Sequence, residues 1–403
     1  MAIETNLSVL DTFTCLGDKC PEHCCIEWNI PVDTDTLEKW ESLNESDRRY
    51  VFDSSSLQDN ENSTDGESAR FLEKDESGYC VMLGGNGLCQ LQASLGHDVL
   101  PKMCRDYPRI ILKNQAGFVR SAQLSCPDIV SNALFNQSET PLFNNMDSLV
   151  RSMLGSYNPV EQLYGELGRF FHEVMGFDKF TANIKLYLLS TSLSSLYQKS
   201  QSSAGDELWT FLSTELHTKP KDKLFNIGKK LKSSGHGVKP DDYLAYWQVI
   251  RKVIRGCKTL VLSEVLQKSE LLNLLNNDMP GEEIHRRLTE AFSTMHKQVS
   301  RKYSKVFSRY TELALVNRGY PLSPVGDNQF VSFASALISL SMVNLLMACH
   351  LDEKGALEES DIKEIIWRVE RQTVHNKAIQ QLFKDFPELL ELGNYHRILL
   401  DLF

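Results

Sequence analysis

Two kinds of pattern divide the chain. From about residue 146 onward, apolar residues recur at three- and four-residue spacing, the period of a helix with one buried face. The periodic segments are Val160–Met175, Phe180–Gln198, Asp241–Leu275, Glu282–Val316, Val331–Ala348 and Asp361–Phe383, with Gly and Pro mainly between them. No 34-residue or similar repeat runs through them, so the pattern predicts a packed helical domain and not a solenoid. Leu, Phe and Tyr on these stripes are read as core. The charge-dense stretch Glu282–Lys305 is read as a solvated helix face. Phe330–Cys349 carries no formal charge over twenty residues, enough to span a bilayer. Ser332, Ser335, Ser339, Ser341 and Asn344 interrupt it and no basic cluster flanks it. It therefore reads as a buried core helix, with no membrane insertion expected.

Before residue 140 the pattern is irregular. Asp33 is placed to cap a helix whose apolar stripe is Leu37, Trp40 and Leu43. Residues 53–70 are polar and read as a loop or mobile insertion. A short helix is expected from Leu88 to Leu95, with Cys89 on its first turn. Pro101 and Pro108 bracket Cys104 and are expected to hold it in extended chain. Arg109–Lys113 and Phe118–Leu124 flank a turn at residues 114–117 and predict a β-hairpin. Ser125 then caps a helix entered through Pro127 and Asp128. The expected fold is mainly α: a cysteine-rich metal- or cluster-binding region over 1–140 with a small β-hairpin, then a large all-α domain over 146–403. A break near 235–240 would divide that domain into two sub-domains.

Cysteine placement changes the picture most. Cys15, Cys20, Cys24 and Cys25 fall within eleven residues, and Cys80, Cys89, Cys104 and Cys126 follow; only Cys257 and Cys349 lie beyond. The N-terminus lacks a basic region followed by an apolar run, so a cytoplasmic, reducing setting is expected. There, clustered thiols are metal ligands before they are disulfides. All eight are candidate ligands. The spacings C-x4-C, C-x3-C and C-C are not those of a zinc knuckle. Adjacent side chains in extended chain point apart, so Cys24 and Cys25 are not expected to share one ion. Four thiolates suffice for a [4Fe–4S] cluster; eight allow two zinc sites, or one cluster with spare thiols, and His23 is a further possible ligand. Gly84, Gly85 and Gly87 make a flexible turn that would let Cys80 and Cys89 converge. GGNG is neither a P-loop nor a dinucleotide fingerprint, and no C-x3-C-x2-C radical motif is present.

Charge excludes one class of partner. The 403 residues carry a net −10, but residues 1–150 hold 24 acidic and 11 basic side chains, and the remainder 29 and 32. An acidic front third argues against nucleic acid. It suits a cationic partner such as a lysine-bearing protein or a sulfonium cofactor.

The same blocks resemble the flagellin lysine-N-methylase family, akin to a wider group of CxxCxxCC-type proteins described as zinc- or iron-chelating. The resemblance rests on F-x-C-x4-C-x3-C-C-x2-W-x-I from Phe13, on G-x-C-x8-C-x-L-Q with Cys80 and Cys89, on L-G-x3-L-P-x2-C-R-x-Y-P-R from Leu95 to Arg109, and on S-C-P-D from Ser125. It implies transfer of methyl groups from S-adenosylmethionine to flagellin lysines by a protein associated with an iron–sulfur cluster, zinc being the alternative metal. Methylation needs a neutral amine, and free lysine has a pKa of about 10.4. A site must desolvate the amine or supply a base. Asp106, Tyr107 and Asp128 are the polar candidates beside cluster cysteines, although Asp106 can instead pair with Arg105 or Arg109. Arg105 and Arg109 are candidates to grip the cofactor's carboxylate. Two other readings stay open: a non-catalytic, metal-stabilised adaptor that binds flagellin, and an iron–sulfur redox protein.

Overall fold

The chain opens with β1 (Ile3–Leu7), whose partners lie more than a hundred residues away. The computed structural model describes residues 2–26, 29–55, 57–59, 70–136, 141–202, 246–250, 253–254, 269–274, 281–322 and 329–374. Further elements in order are β2 (Ile30–Val32), α1 (Thr34–Glu41), α2 (Glu45–Ser55), β3 (Leu57–Asp59), β4 (Arg70–Leu72), α3 (Gln90–Leu95), α4 (Lys102–Asp106), β5 (Arg109–Lys113), β6 (Gly117–Ala122), α5 (Pro127–Ile129) and β7 (Phe143–Asn144). The helices α6 (Met146–Leu154), α7 (Pro159–Met175), α8 (Ala182–Ser202), α9 (Glu270–Leu274), α10 (Gly281–Asn317), α11 (Gln329–Lys354) and α12 (Glu359–Val374) follow. The fold is mostly helical with little sheet. Two compact units are formed: one from residues 12–110 with Cys126–Asp128, the other from residues 1–11, 111–125 and 129–403.

In the larger unit the strand order is β5-β6-β1-β7. The expected hairpin is there, but β1 runs parallel to β6, with Ile3 opposite Gly117 and Asn6 opposite Arg120. Gly117 permits this pairing, since a Cβ there would sit 1.9 Å from the Ile3 carbonyl oxygen. Neither β1 nor β7 was legible locally, because five- and two-residue strands carry almost no periodicity. The chain after α5 also departs from expectation. Val130–Phe135 continues as π-helix, whose wider turn has no separate signature in apolar spacing.

The helices match the periodic segments closely. Asn158 caps α7 by accepting from the N–H groups of Val160 and Glu161 at 2.9 and 3.4 Å, a contribution of about 1 kcal/mol. The uncharged stretch lies in α11 and is buried inside the protein, including Ser332, Ser339, Ser341 and Asn344. Beside it Tyr310 donates to Glu370 at 2.8 Å, and Arg318 reaches the other Glu370 oxygen at 3.1 Å and Thr373 Oγ1 at 3.1 Å. This buried network ties α10, and the residue just beyond it, to α12. Most of the expected 241–275 segment, the 235–240 break, residues 375–383 and Cys257 lie outside the described residues.

The smaller unit has its own sheet, β2-β4-β3, with Leu72 between Ile30 and Leu57. The polar 53–70 segment is thus not a simple loop. Its start completes α2 and its two ends pair as β3 and β4, while residues 60–69 lie outside the described residues. The core of this unit joins Ile30, Val32, Trp40, Val51, Leu72, Met82, Leu91 and Leu100 to Cys80. Trp40 is fully buried, donates its indole N–H to the Val99 carbonyl at 2.7 Å, and meets Phe52 edge-on. Seven apolar side chains around one tryptophan make a core large enough to fix the loops that carry the thiols.

Candidate functional site

The thiols are positioned by short turns anchored on that core. Cys80 follows a turn in which Asp75 Oδ1 accepts from the N–H groups of Ser77 and Tyr79 at 2.9 and 3.0 Å. The Cys80 N–H donates to the Cys25 carbonyl at 2.8 Å, which joins the first cysteine block to the second. From Cys80 the chain turns through Gly84–Gly87 and returns, so that Leu83 bridges Cys89 and the Gln90 N–H donates to Met82. The glycine turn therefore does bring Cys80 and Cys89 onto one side. Gly87 has φ +75°, and a Cβ there would lie 2.9 Å from the His23 ring, so the turn also seats the residue preceding Cys24.

Cys104 arrives on a helix, not on extended chain. Pro101 stands before the first turn of α4, where its missing N–H costs nothing, and Pro108 comes two residues after the end. The two prolines delimit the helix instead of preventing it. Asp33 holds its start: the carboxylate that caps α1 through Thr36 N–H (3.1 Å) also accepts the Lys102 N–H at 2.8 Å. Burial works against the Asp33 charge, but these donors prevail and hold its carboxyl below the usual 3.8.

Five of the eight candidate cysteines come together: Cys24, Cys80 and Cys89 lie within electrostatic reach of one another, and all three act on Cys25 and on Cys104. Cys25, Cys89 and Cys104 pack against the apolar core that includes Cys80. A hydrogen bond with Cys24 and then burial push the Cys25 thiol far up. Burial, reinforced by neighbouring thiols, raises Cys80 to about 11 and raises Cys89 and Cys104 as well. The Leu91 and Gln92 N–H ends at the start of α3 pull Cys89 back, and the Arg105 guanidinium does the same for Cys104. The other three are placed differently. Cys15 is exposed, its sulfur 3.5 Å from the Gly17 N–H, and the half-buried Cys20 donates to the Glu22 carbonyl at 2.9 Å. Cys126 is buried just before α5 and belongs to the same compact unit as the other seven.

Burial keeps Cys25, Cys80, Cys89 and Cys104 from ionising together unless positive charge is added, so acting as thiolates would require a cationic centre beside them. Among the described residues, no three His, Cys, Asp or Glu side chains converge tightly enough for a single ion.

The polar candidates sort themselves around α4. Asp106 pairs with Lys102 one turn earlier, not with either arginine. Arg105 donates through Nη1 to the carbonyls of Leu100 (2.6 Å) and Asp98 (3.3 Å) while lying beside Cys104. Arg109 stacks its guanidinium over the Phe13 ring at 5.1 Å. Tyr107 ends α4, and Asp128 is buried two residues after Cys126.

One group escaped sequence reasoning. In the helical unit Lys185 is buried and donates to the Met175 carbonyl and Ser308 Oγ, both at 2.7 Å. Burial lowers its pKa, and burial raises that of the partly buried Glu312 to about 7, with Lys185 and Arg309 pulling the latter down. Nothing in the spacing of these residues distinguishes them from the solvated charges around them. Cys349, also buried here, is pushed up to about 12 and is an inert core thiol.

Residues 169–396, more than half the chain and the region of the packed helices, match the FliB lysine N-methylase C-terminal domain. The chain belongs to the FliB lysine N-methylase family. Similarity also runs through the cysteine-rich unit: the chain is 21% identical over 410 residues to a lysine-N-methylase of Salmonella typhimurium, covering 97% of this chain and 96% of the relative. A lysine-N-methylase of Salmonella choleraesuis is 22% identical over 402 residues, covering 95% and 94%. The flagellar biosynthetic protein FliU of Salmonella muenchen is 30% identical over 123 residues, 30% of this chain and 71% of the relative. No solved structure matches the chain.

Proposed function

We propose that this FliB-family protein is a cytoplasmic protein lysine N-methyltransferase that moves methyl groups from S-adenosylmethionine to surface lysines of flagellin. The observation that carries the reading is near-full-length similarity to two lysine-N-methylases, supported by the grouping of Cys25, Cys80, Cys89 and Cys104 on one core, with Cys24 acting on all four. Three of Cys24, Cys25, Cys80, Cys89 and Cys104 would hold a [4Fe–4S] cluster by thiolate ligation. When bound in that way, the cluster would supply one iron without a thiolate, a Lewis-acidic site for the donor's amino-carboxylate end.

The chemistry is a displacement at carbon. The lysine nitrogen's lone pair forms the new N–C bond, the C–S bond breaks with its electron pair passing to sulfur, and the amine's proton leaves. Arg105, beside Cys104, faces the donor's carboxylate with its Nε and Nη2 edge, since Nη1 is engaged by backbone carbonyls. Arg109, stacked on Phe13, shapes the approach. Asp106 exchanges its exposed Lys102 partner for the substrate ammonium and relays its proton to water. Tyr107 offers its ring face to the same cation. Catalysis of this kind is mostly orientation, which contributes up to roughly 7–11 kcal/mol when two reactants are held in line.

The test is intact-mass analysis of flagellin incubated with anaerobically purified protein and S-adenosylmethionine. The expected result is stepwise gain of single methyl masses on lysines, lost in Cys80→Ser. Capture of flagellin with no mass change would replace this reading with that of an adaptor. Full activity in colourless, zinc-only protein would remove the cluster from it.

A further inference from the structure

β5 ends its sheet on one side, and its outer edge has no strand beside it among the described residues. The opposite edge, β7, is two residues long and buries Phe143. Along β5 exposure alternates: Arg109, Ile111 and Lys113 are exposed, Ile110 and Leu112 half-buried. Ile111 keeps 56% of its surface in water. One face of an open strand thus presents cation, apolar group, cation at two-residue spacing. Asn158 donates to the Gln115 side chain at 3.3 Å, which docks the segment carrying exposed Tyr157 and Val160 against the β5–β6 turn. Ile111, Tyr157 and Val160 are three of the four exposed large apolar side chains among the described residues.

We propose that β5 is a docking edge for an extended protein segment of the pattern acidic–x–apolar–x–acidic, added to the sheet as a fifth strand. Open backbone groups supply the pairing, and the alternating side chains supply selectivity. The charges decide against a second copy of this chain. Antiparallel self-pairing centred on Ile111 sets Arg109 against Lys113 twice, and parallel in-register pairing sets each cation against itself. Like charges directly opposite on a sheet face are destabilising, and opposite ones are favourable. The inference goes beyond methyl transfer, since it concerns where a partner is held and holds whichever reaction follows.

The test uses the full chain and a fluorescein-labelled heptapeptide, Thr-Glu-Thr-Val-Thr-Glu-Thr, followed by fluorescence anisotropy at low salt and by hydrogen exchange. Binding with added protection of the 109–113 amides is expected. A version N-methylated at alternate amides should not bind, and this control leaves the protein untouched. Ile111→Asp and Lys113→Glu, checked for folding by circular dichroism, should each weaken binding by roughly fivefold or more. No binding up to millimolar peptide, equal binding of a peptide with Lys for Glu, or protection elsewhere in the chain overturns the proposal. So does self-association of the chain that Ile111→Asp abolishes.

Discussion

The amide of Cys80 donates to the carbonyl of Cys25 at 2.8 Å, across 55 residues of sequence. With the antiparallel bridge between Ile26 and Tyr79, this backbone bond joins the two cysteine blocks, and it makes the thiol group a product of pairing between loops instead of a self-contained finger. It also separates the cysteines into a converging group and a remainder, which gives the first prediction.

Cys25→Ser, Cys80→Ser and Cys104→Ser should each sharply reduce iron and labile sulfide per chain and bleach the visible absorbance of anaerobically purified protein. Cys15→Ser, at an exposed position, should leave all three near the parent level. Equal loss in Cys15→Ser would show that the five-thiol assignment is wrong.

Gly87→Ala should disturb the same centre without touching a thiol. The position has φ +75° and a Cβ would sit 2.9 Å from His23, so backbone strain alone costs about 1–2 kcal/mol. Gly85→Ala meets nothing within 4 Å and should be silent. Iron content and melting temperature of the two variants should diverge; parallel behaviour would refute the seating of His23 on the turn.

Asp33 links α1 to α4, and its loss should be felt at Cys104. Asp33→Ala is expected to destabilise by about 0.5–2 kcal/mol, the range for a lost cap. The folded-state carboxyl lies below 3.8, so its stabilisation is complete above that value and fades as pH falls through the lower folded one. Asp33→Asn should therefore flatten the acid limb of the stability curve, measured by urea unfolding at several pH values.

Glu312 works in the opposite sense. Its carboxyl goes from 4.5 when unfolded to about 7 when folded, so in that interval the folded chain keeps a proton that the unfolded chain has released. Stability should fall as pH rises through the interval, by at most about 1.4 kcal/mol per unit from this group. Glu312→Gln should remove that slope, gaining on the parent at pH 8 and losing the advantage by pH 5 in thermal melts.

Glu370→Ala should be the most damaging change in the helical unit. Arg318 and Glu370 are both almost wholly buried, and removing one partner strands the other charge at a cost of about 3–5 kcal/mol. A cooperative drop in melting temperature is expected; a shift of only a degree or two would mean that the network has water access.

What the sequence determined by itself were the features that repeat or cap. The long helices were legible because a buried face imposes its 3.6-residue period on many consecutive side chains. Asp33 as a cap, the β5–β6 hairpin and the Gly84–Gly87 turn were legible because each needs particular residue types at fixed offsets. Eight front-loaded cysteines announced a thiol-rich centre. The tertiary structure alone decided which of them meet. Cys25 finds Cys80 through a backbone bond, and α4 is set by a carboxylate 69 residues upstream. Chain distance hides such contacts, since no local pattern encodes the far partner. The same reason concealed β1 and β7, the ordered ends of the polar segment, and the Lys185–Glu312–Arg309 group, whose charges look like any others until burial changes what they cost.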